Sequence, residues 1–225
     1  REAKKMAAEL KAGEKIALDP KEVEKRICVG VNWGAARAFA LLRFLRMNRE
    51  AVDLDLSCAL YNAQGQMVDH LYSPLFRPDL LKAHGLPPGK LCTRDGACRH
   101  SGDDRAGDLG GNDGLDNESI MLDLAKLAPE VEKIIFFVNG TGEHDFSEIP
   151  YTQVRLYAVD AVNRQDYTVL SEFNVSAKAE YKGRHTLVLG RMVRTGGRWE
   201  FQAIGDPLPT PTIIETLGLL SLEYL

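Results

Sequence analysis

The twenty residues HTLVLGRMVRTGGRWEFQAI, at 185–204, contain two apolar runs separated by Thr195, Gly196 and Gly197. Apolar runs on either side of a glycine pair are typical of a β-hairpin, because glycine adopts the positive φ angles that tight hairpin turns require. The stretch therefore predicts two antiparallel strands joined by a tight turn. A β-rich fold is the expectation for the rest of the chain.

Similar short apolar runs recur along the chain. In RICVGVNW, at 26–33, the apolar residues alternate as they do along one face of a strand. The other predicted strands are VDLDLSCALYN (52–62), QMVDHLY (66–72), SIMLDL (119–124), KIIFFVN (133–139), TQVRLYAV (152–159) and DYTVLSEF (166–173). Many short strands separated by turns predict a mainly β protein, a two-sheet β-sandwich with short helical insertions.

The charged, amphipathic residues 1–11 predict a helix, so we expect residues 1–9 to form a linker or helical tail and residues 10–225 to form one β-sandwich domain. Residues 73–98 are irregular and proline-rich, which indicates a long surface excursion. Other helices are predicted at 35–50 and 78–84, and a short apolar helix or final packed segment at 212–225.

Composition excludes several classes of protein. The 225 residues are 44% hydrophobic, which is enough for a sizeable core, and the net charge of −4 without a basic run argues against nucleic acid as a partner. No apolar run approaches the 20 or so residues of a membrane span. Four cysteines are too few for a disulfide scaffold of this length, so we expect reduced thiols and a cytoplasmic protein.

The stretch GDDRAGDLGGNDGLDNE, at 102–118, holds six carboxylates, two asparagines and five glycines. Calcium takes six to eight oxygen ligands from carboxylates, amides, backbone carbonyls and water, and this loop offers all of the protein groups. The EF-hand pattern does not fit it in any register. A calcium-binding loop and a solvated acidic loop both remain open on composition alone.

A second acidic feature lies in VDLDLSCAL, at 52–60. Side chains alternate along a strand, so Asp53, Asp55 and Ser57 share one face, and the intervening apolar side chains face the core. The two carboxylates are then roughly 7 Å apart by strand rise, which suits flanking one ion or serving two neighbouring ions. The alternative is that Arg or Lys on an adjacent strand neutralises them.

Several separated motifs, taken together, resemble the TerD family of tellurium-resistance and stress-response proteins. In chain order they are VGVNWG (29–34), VDLDLSCALYN (52–62), DGACRHSGDD (95–104), GLDNESIMLDL (114–124), PEVEKIIFFVN (129–139) and RWEFQAIGD (198–206). The resemblance covers roughly residues 10–225. It implies a calcium-binding β-sandwich that works with other proteins of a stress-resistance complex, without enzymatic activity and with membrane association only through partners.

The resemblance also implies a set of metal ligands that would hold calcium, two ions in all. The implied residues are Asp53 and Asp55 from the strand, Asp103 and Asp104 from the GDN position, and Asp116, Asn117 and Glu118 from the GDDE position. Asp104 stands where the family usually has Asn, and Asn117 where it usually has Asp. The loop is longer than the common form, so Asp108, Asn112 and Asp113 are additional residues, and Asp108 and Asp113 are added to the predicted ligands.

Two other functions remain as alternatives. One is a metal-dependent enzyme or pathway component that acts on a small phosphate or oxyanion substrate. The other is a calcium-dependent membrane or glycan binder, which exposed apolar side chains around the ions would favour. The spacing of Cys92, Cys98 and His100 is a weak zinc pattern. The cluster of Glu143, His144 and Asp145 has no accompanying nucleophile motif, so we expect a solvated loop there.

Overall fold

A computed structural model describes residues 8–19, 21, 24–37, 49–160 and 167–225. The strands in these residues are β1 (Ala8–Glu9), β2 (Lys15–Ala17), β3 (Arg26–Trp33), β4 (Ala36–Arg37), β5 (Arg49–Glu50), β6 (Leu54–Tyr61), β7 (Met67–Leu71), β8 (Cys98–His100), β9 (Glu118–Leu122), β10 (Lys133–Gly140), β11 (Tyr151–Val159), β12 (Tyr167–Ser176), β13 (Thr186–Thr195) and β14 (Arg198–Leu208). The helices are α1 (Pro78–Ala83), a 3₁₀ turn (Ala179–Tyr181) and α2 (Ile213–Glu223).

The strands form two six-stranded sheets and a small separate pair. The first sheet has the order β1-β12-β11-β3-β9-β8, and the second has the order β2-β14-β13-β10-β6-β7. Neighbours run antiparallel, except that β1 is parallel to β12. Strands β4 and β5 form the separate pair, antiparallel to each other. The predicted mainly β, two-sheet sandwich is confirmed.

The hairpin predicted at 185–204 forms as expected. Strand β13 ends at Thr195 and β14 begins at Arg198, so the turn consists of Gly196 and Gly197. Their φ angles are 57° and 79°, both in the left-handed region that favours glycine. The turn chemistry therefore fixes the register of the two longest paired strands in the second sheet.

The main core lies between the two sheets, and its residues follow the predicted alternation. From β6 it receives the four apolar side chains Leu54, Leu56, Cys58 and Leu60. The facing sheet contributes side chains from β3, β9 and β11, including Val29. The alternation predicted for VDLDLSCAL is confirmed, because Asp55 lies on the opposite face of β6.

A second apolar cluster covers the outer face of the second sheet. Helix α2 packs Ile213, Leu217 and Leu220 there, against Ile135 and Phe137 of β10. This explains why KIIFFVN is apolar without interruption, since both faces of that strand are buried. The C-terminal segment is thus a helix, one of the two outcomes that the sequence left open.

The N-terminus of α2 is fixed to β10 by a buried polar network. The Asn139 amide donates to the hydroxyls of Thr186 (2.6 Å) and Thr216 (3.0 Å). Each of these hydroxyls donates its own proton to a backbone carbonyl, of Thr210 and Thr212 respectively. The buried donors of this network are satisfied and hold the helix in one position on the sheet, while the side-chain oxygen of Asn139 has no hydrogen-bond partner among the described residues.

The helices predicted at 1–11 and 35–50 lie mostly outside the described residues, and their described ends are strands. Residues 1–7 and 38–48, which carry most of the helices predicted at 1–11 and 35–50, lie outside the described residues. The flanking residues Ala8–Glu9 form a strand because they pair with β12, and the ends of 35–50 pair with each other as β4 and β5. The helix predicted at 78–84 is confirmed as α1.

In the part of the chain that the structure describes, no helix is both long and apolar enough to cross a membrane.

Truncating Leu220 should lower the free energy of unfolding by about 2–5 kcal/mol, because its side chain is fully buried between α2 and the second sheet. Leu222 in the same helix is 85% exposed, so Leu222→Ala should change stability by less than about 0.5 kcal/mol. Chemical denaturation of Leu220→Ala and Leu222→Ala measures both values. Equal losses would mean that α2 is not docked on the sheet as described.

Candidate metal centre

The acidic loop, residues 102–118, runs along the first sheet and reaches the second. Its backbone is tied to β3, because the Asp108 N–H donates to the Trp33 carbonyl (3.0 Å) and the Asn117 N–H donates to the Val31 carbonyl (2.9 Å). The Ala106 carbonyl accepts from the Val52 N–H, just before β6 (3.1 Å). The loop is therefore bonded to strands or strand ends from both sheets.

Glu118 is the most buried carboxylate of the loop, with 1% of the residue exposed. One oxygen, Oε2, accepts from the Leu56 N–H at 2.7 Å, and the other, Oε1, accepts from the Asp104 N–H at 2.9 Å. The Gly102 N–H donates to His100 Nδ1, so the ring proton lies on Nε2, which is 3.3 Å from Glu118 Oε2. Glu118 thus connects β9 of one sheet, β6 of the other, and the start of the loop.

A second group in the loop is organised by the amide of Asn117. Its oxygen accepts from the Trp33 N–H (2.8 Å), and its nitrogen donates to Asp104 Oδ2 (3.2 Å) and Asp108 Oδ1 (3.4 Å). The Tyr151 hydroxyl donates to the other oxygen of Asp108 at 2.6 Å. The residue that stands where the family usually has Asp therefore holds two carboxylates together through its own hydrogen bonds.

Asp116 is committed to partners within the protein. Both Arg155 Nε (2.8 Å) and Nη2 (2.7 Å) contact its Oδ1, and the Tyr157 hydroxyl donates to Oδ2 (2.9 Å). The carboxylate lies directly over Gly30 of β3, where an added Cβ would be 2.1 Å from Asp116 Oδ2. Glycine at position 30 is what allows the loop to lie against the strand.

A third group of carboxylates has little compensating charge. The pKa of Asp55 is raised to about 7, first by burial and then by the negative charges of Glu118, Asp53 and Asp103. Asp53 has a buried oxygen, Oδ1, with no hydrogen-bond partner among the described residues. Asp55, Asp103 and Glu118 line one cavity of about 230 Å³. We call Asp53, Asp55 and Asp103 the carboxylate cluster.

One cation beside this cluster, Arg105, is exposed and belongs to the loop. The Arg105 Nε contacts Asp103 Oδ2 at 2.9 Å, and the Arg105 side chain is 67% exposed. An exposed ion pair of this kind contributes little to stability. Asp113 also lies outside the cluster, exposed in the loop, where its Oδ1 accepts from the Leu115 N–H.

The chemistry of the carboxylate cluster fits a hard cation. A buried carboxylate oxygen without a donor and a like-charged neighbour with a raised pKa are the features that a bound cation would relieve. Within the described ranges, no three His, Cys, Asp or Glu side chains converge closely enough to form a complete metal cage. An ion there would need further oxygens, from backbone carbonyls or water.

Several site residues were not among the sequence-predicted ligands. His100, Arg155 and Tyr151 each contact a predicted acidic residue, but they come from β8 and β11, and only the three-dimensional fold brings them to the loop. Another is Asn32, which is fully buried and donates to the Asn112 side chain (3.3 Å). The histidine of DGACRHSGDD was the one available indication, because it stands next to the predicted ligands.

The structure also describes the two weaker motifs of the sequence, that of Cys92 and Cys98 and that of His144. Cys98 is buried in the main core, where burial raises the pKa of its thiol, and Cys92 is exposed. His144 lies between two carboxylates, with Nε2 3.3 Å from Glu50 Oε2 and Nδ1 3.2 Å from Glu148 Oε2.

The fold and this site define a class of protein: a β-sandwich whose two sheets are joined at one end by a buried glutamate within an acidic loop. The chain belongs to the TerD family, because the TerD domain matches residues 6–211.

Individual proteins that are similar to this chain support the family assignment. The chain is 27% identical to tellurium resistance protein TerZ of Serratia marcescens over 184 residues, which is 82% of this chain and 81% of TerZ. It is 32% identical to stress response protein SCP2 of Bacillus subtilis over 122 residues, or 52% of this chain and 56% of that protein. A crystal structure from Streptomyces coelicolor, described as a homologue of telluride resistance protein (TerD), has a TM-score of 0.52 and 16% identity, and covers 88% of this chain and 95% of that chain.

Replacing Glu118 by glutamine should destabilise the domain by about 1–3 kcal/mol, because the new NH₂ group would face a buried donor and leave it without an acceptor. Glu130 is exposed, so Glu130→Gln is the matched control and should be close to neutral. Urea denaturation measures both variants. A Glu118→Gln variant as stable as the control would contradict the bridging role.

The raised pKa of Asp55 predicts a pH dependence in the presence of chelator. Between 3.8, the ordinary pKa of an aspartate, and about 7, the unfolded chain is ionised at this position and the folded chain is not, so stability present below pH 4 is lost as the pH rises through 7. Asp55→Asn removes this loss, so its melting temperature should rise relative to wild type as the pH rises. Asp113→Asn is the control. If the difference in melting temperature between Asp55→Asn and wild type did not change with pH, the raised pKa of Asp55 would be contradicted.

Proposed function

We propose that this chain is a calcium-binding stress-response protein of the tellurium-resistance type. In this proposal calcium orders the acidic loop, and the ordered loop presents a surface to other proteins of a larger complex. The role is non-enzymatic, and the setting is cytoplasmic. The two relatives named above as a tellurium resistance protein and a stress response protein support the general role, and the site chemistry supports the ion.

The observation on which the proposal rests is that the negative charges of the carboxylate cluster lie close together with little positive charge beside them. The other loop acids have firm partners, Asp116 in Arg155 and Glu118 in two backbone N–H groups. Among the described residues, neither Asp53 nor Asp55 forms an ion pair of this kind, and burial together with the neighbouring negative charges raises the pKa of Asp55. A divalent cation supplies the missing positive charge, and a hard oxygen set of this kind favours calcium.

In this proposal the first ion binds at the carboxylate cluster, where it would draw Asp53, Asp55 and Asp103 closer together than they lie in the structure and take its remaining oxygens from backbone carbonyls and water. A second ion would bind near Asp104 and Asp108, where the Asn117 amide bridges the two carboxylates. Asp116, paired with Arg155, would act by fixing the loop over β3. Glu118 and Asn117 would position the loop, since their side-chain oxygens already accept backbone hydrogen bonds.

Calcium should raise the melting temperature, and chelator should lower it again. A ligand that binds only the folded state at 100 times its Kd adds roughly 2.7 kcal/mol per site. Asp53→Asn and Asp55→Asn should each weaken calcium binding strongly in titration calorimetry. Asp113→Asn, in the exposed part of the loop, should leave the tighter site unchanged. Identical melting curves with calcium and with chelator would refute the proposal.

A specific observation favours a second candidate, calcium-dependent binding to membranes. Leu75 (66% exposed) and Leu91 (38%) line the cavity that contains Asp55 and Asp103. Two further exposed leucines, Leu109 and Leu115, lie in the acidic loop itself. Exposed apolar side chains beside a cation site can enter the interface of a bilayer whose anionic head groups face the ion.

Sedimentation with vesicles tests this candidate. The protein should pellet with vesicles of phosphatidylserine and phosphatidylcholine when calcium is present, and remain in solution with chelator. Replacing Leu75 and Leu115 together by serine should reduce pelleting. Leu222→Ser, on α2, is the control and should have no effect, because Leu222 is exposed but is not part of this surface. No calcium-dependent pelleting of the wild type would exclude the candidate and leave calcium binding itself unaffected.

A further inference from the structure

We infer that the outer face of β3, β9 and β8 carries a second binding site, for a phosphate-bearing small molecule. Its location is a cavity of about 540 Å³ on the first sheet. The residues that define it are Arg26 on β3, Met121 on β9 and Arg99 on β8, with Ser101 and Ser119 toward one end and Lys126 toward the other. We call this the two-arginine groove.

Strand register explains why two arginines face one groove. Met121 pairs with Cys28 of β3 on one side and with Arg99 of β8 on the other. Neighbouring strands are about 4.8 Å apart, so β3 and β8 are about 10 Å apart with β9 between them. Arg26 is two residues before Cys28 and so lies on the same face of β3. Arg26 and Arg99 therefore flank β9, the strand of Met121, from opposite sides. The Arg26 Nη1 lies 4.0 Å from Met121 Sδ, over the floor of the groove.

The charges of the groove are unbalanced toward positive. Among the described residues, neither Arg26 nor Arg99 forms an ion pair with a carboxylate, although the chain has 32 acidic and 28 basic side chains. The one carboxylate that lines the groove, Asp123, is paired with Lys126 at 3.3 Å. Two guanidinium groups thus remain available to an anion.

The chemistry of these groups points to phosphate. Guanidinium is planar, and its paired N–H donors match two oxygens of a phosphate, so two arginines on opposite walls can hold one phosphate group between them. The volume corresponds to roughly eighteen water molecules at ~30 Å³ each, which leaves room for an organic group attached to the phosphate. The adjacent serine hydroxyls can donate further hydrogen bonds.

This site shares no carboxylate with the proposed calcium site, although His100, which contacts Glu118, lines both cavities. The carboxylate cluster contributes no side chain to the groove. Binding should therefore persist in chelator, which also prevents precipitation of calcium phosphate during the test. Failure of either site leaves the other unaffected.

Titration calorimetry with adenosine monophosphate, in chelator and at low ionic strength, tests the inference. The wild type should bind adenosine monophosphate and should not bind adenosine. Inorganic phosphate, added as a competitor, should displace the bound adenosine monophosphate. Arg26→Ala and Arg99→Ala should each weaken binding about tenfold or more, because each removes a charge-assisted contact. Arg99→Lys keeps the charge and loses the paired donors, so it should weaken binding by less than Arg99→Ala.

Arg198→Ala is the matched control, since it removes the same charge from an exposed position on β14. It should bind adenosine monophosphate as tightly as the wild type. Equal weakening by Arg198→Ala and Arg99→Ala would mean diffuse electrostatic attraction and would overturn the inference. Absence of wild-type binding, or equal binding of adenosine, would overturn it as well.

Discussion

The buried carboxylate of Glu118 is the interaction on which this end of the molecule depends. A charge removed from water in this way must be compensated by hydrogen bonds, and Glu118 receives them from Leu56 and Asp104, with His100 Nε2 also beside it. These partners belong to the second sheet, the acidic loop and the edge of the first sheet. This one side chain therefore joins the two sheets and the start of the loop at this end of the molecule.

The loop can be dense in acid because its carboxylates are compensated in different ways. Glu118 uses backbone N–H groups, Asp104 and Asp108 accept from the Asn117 amide, and Asp116 uses the guanidinium of Arg155. What remains is the carboxylate cluster, where burial and like charge act against the ionisation of Asp55. The protein side chains hold the loop close to β3 and leave one region in which a cation has the most to contribute.

The sequence predicted the fold well wherever local chemistry decided the outcome. The Gly196–Gly197 turn and the alternation of β6 depend on neighbouring residues, and both are confirmed. The short strands β1, β2 and β8 were not predicted, because they exist only through pairing with distant strands. For the same reason, the contact of Asp116 with Arg155, thirty-nine residues further on, was not predicted, since nothing local in the sequence indicates it.

Hydrogen exchange of the loop amides tests most directly the claim that a cation completes a loop whose frame is already fixed by the protein. The account predicts that calcium increases the protection of residues 102–107, near the carboxylate cluster. Protection of 117–118 and of β10 should be high with or without calcium, because their backbone hydrogen bonds to neighbouring strands do not involve the ion. No change in 102–107 on addition of calcium, or an equal change throughout the strands, would contradict it.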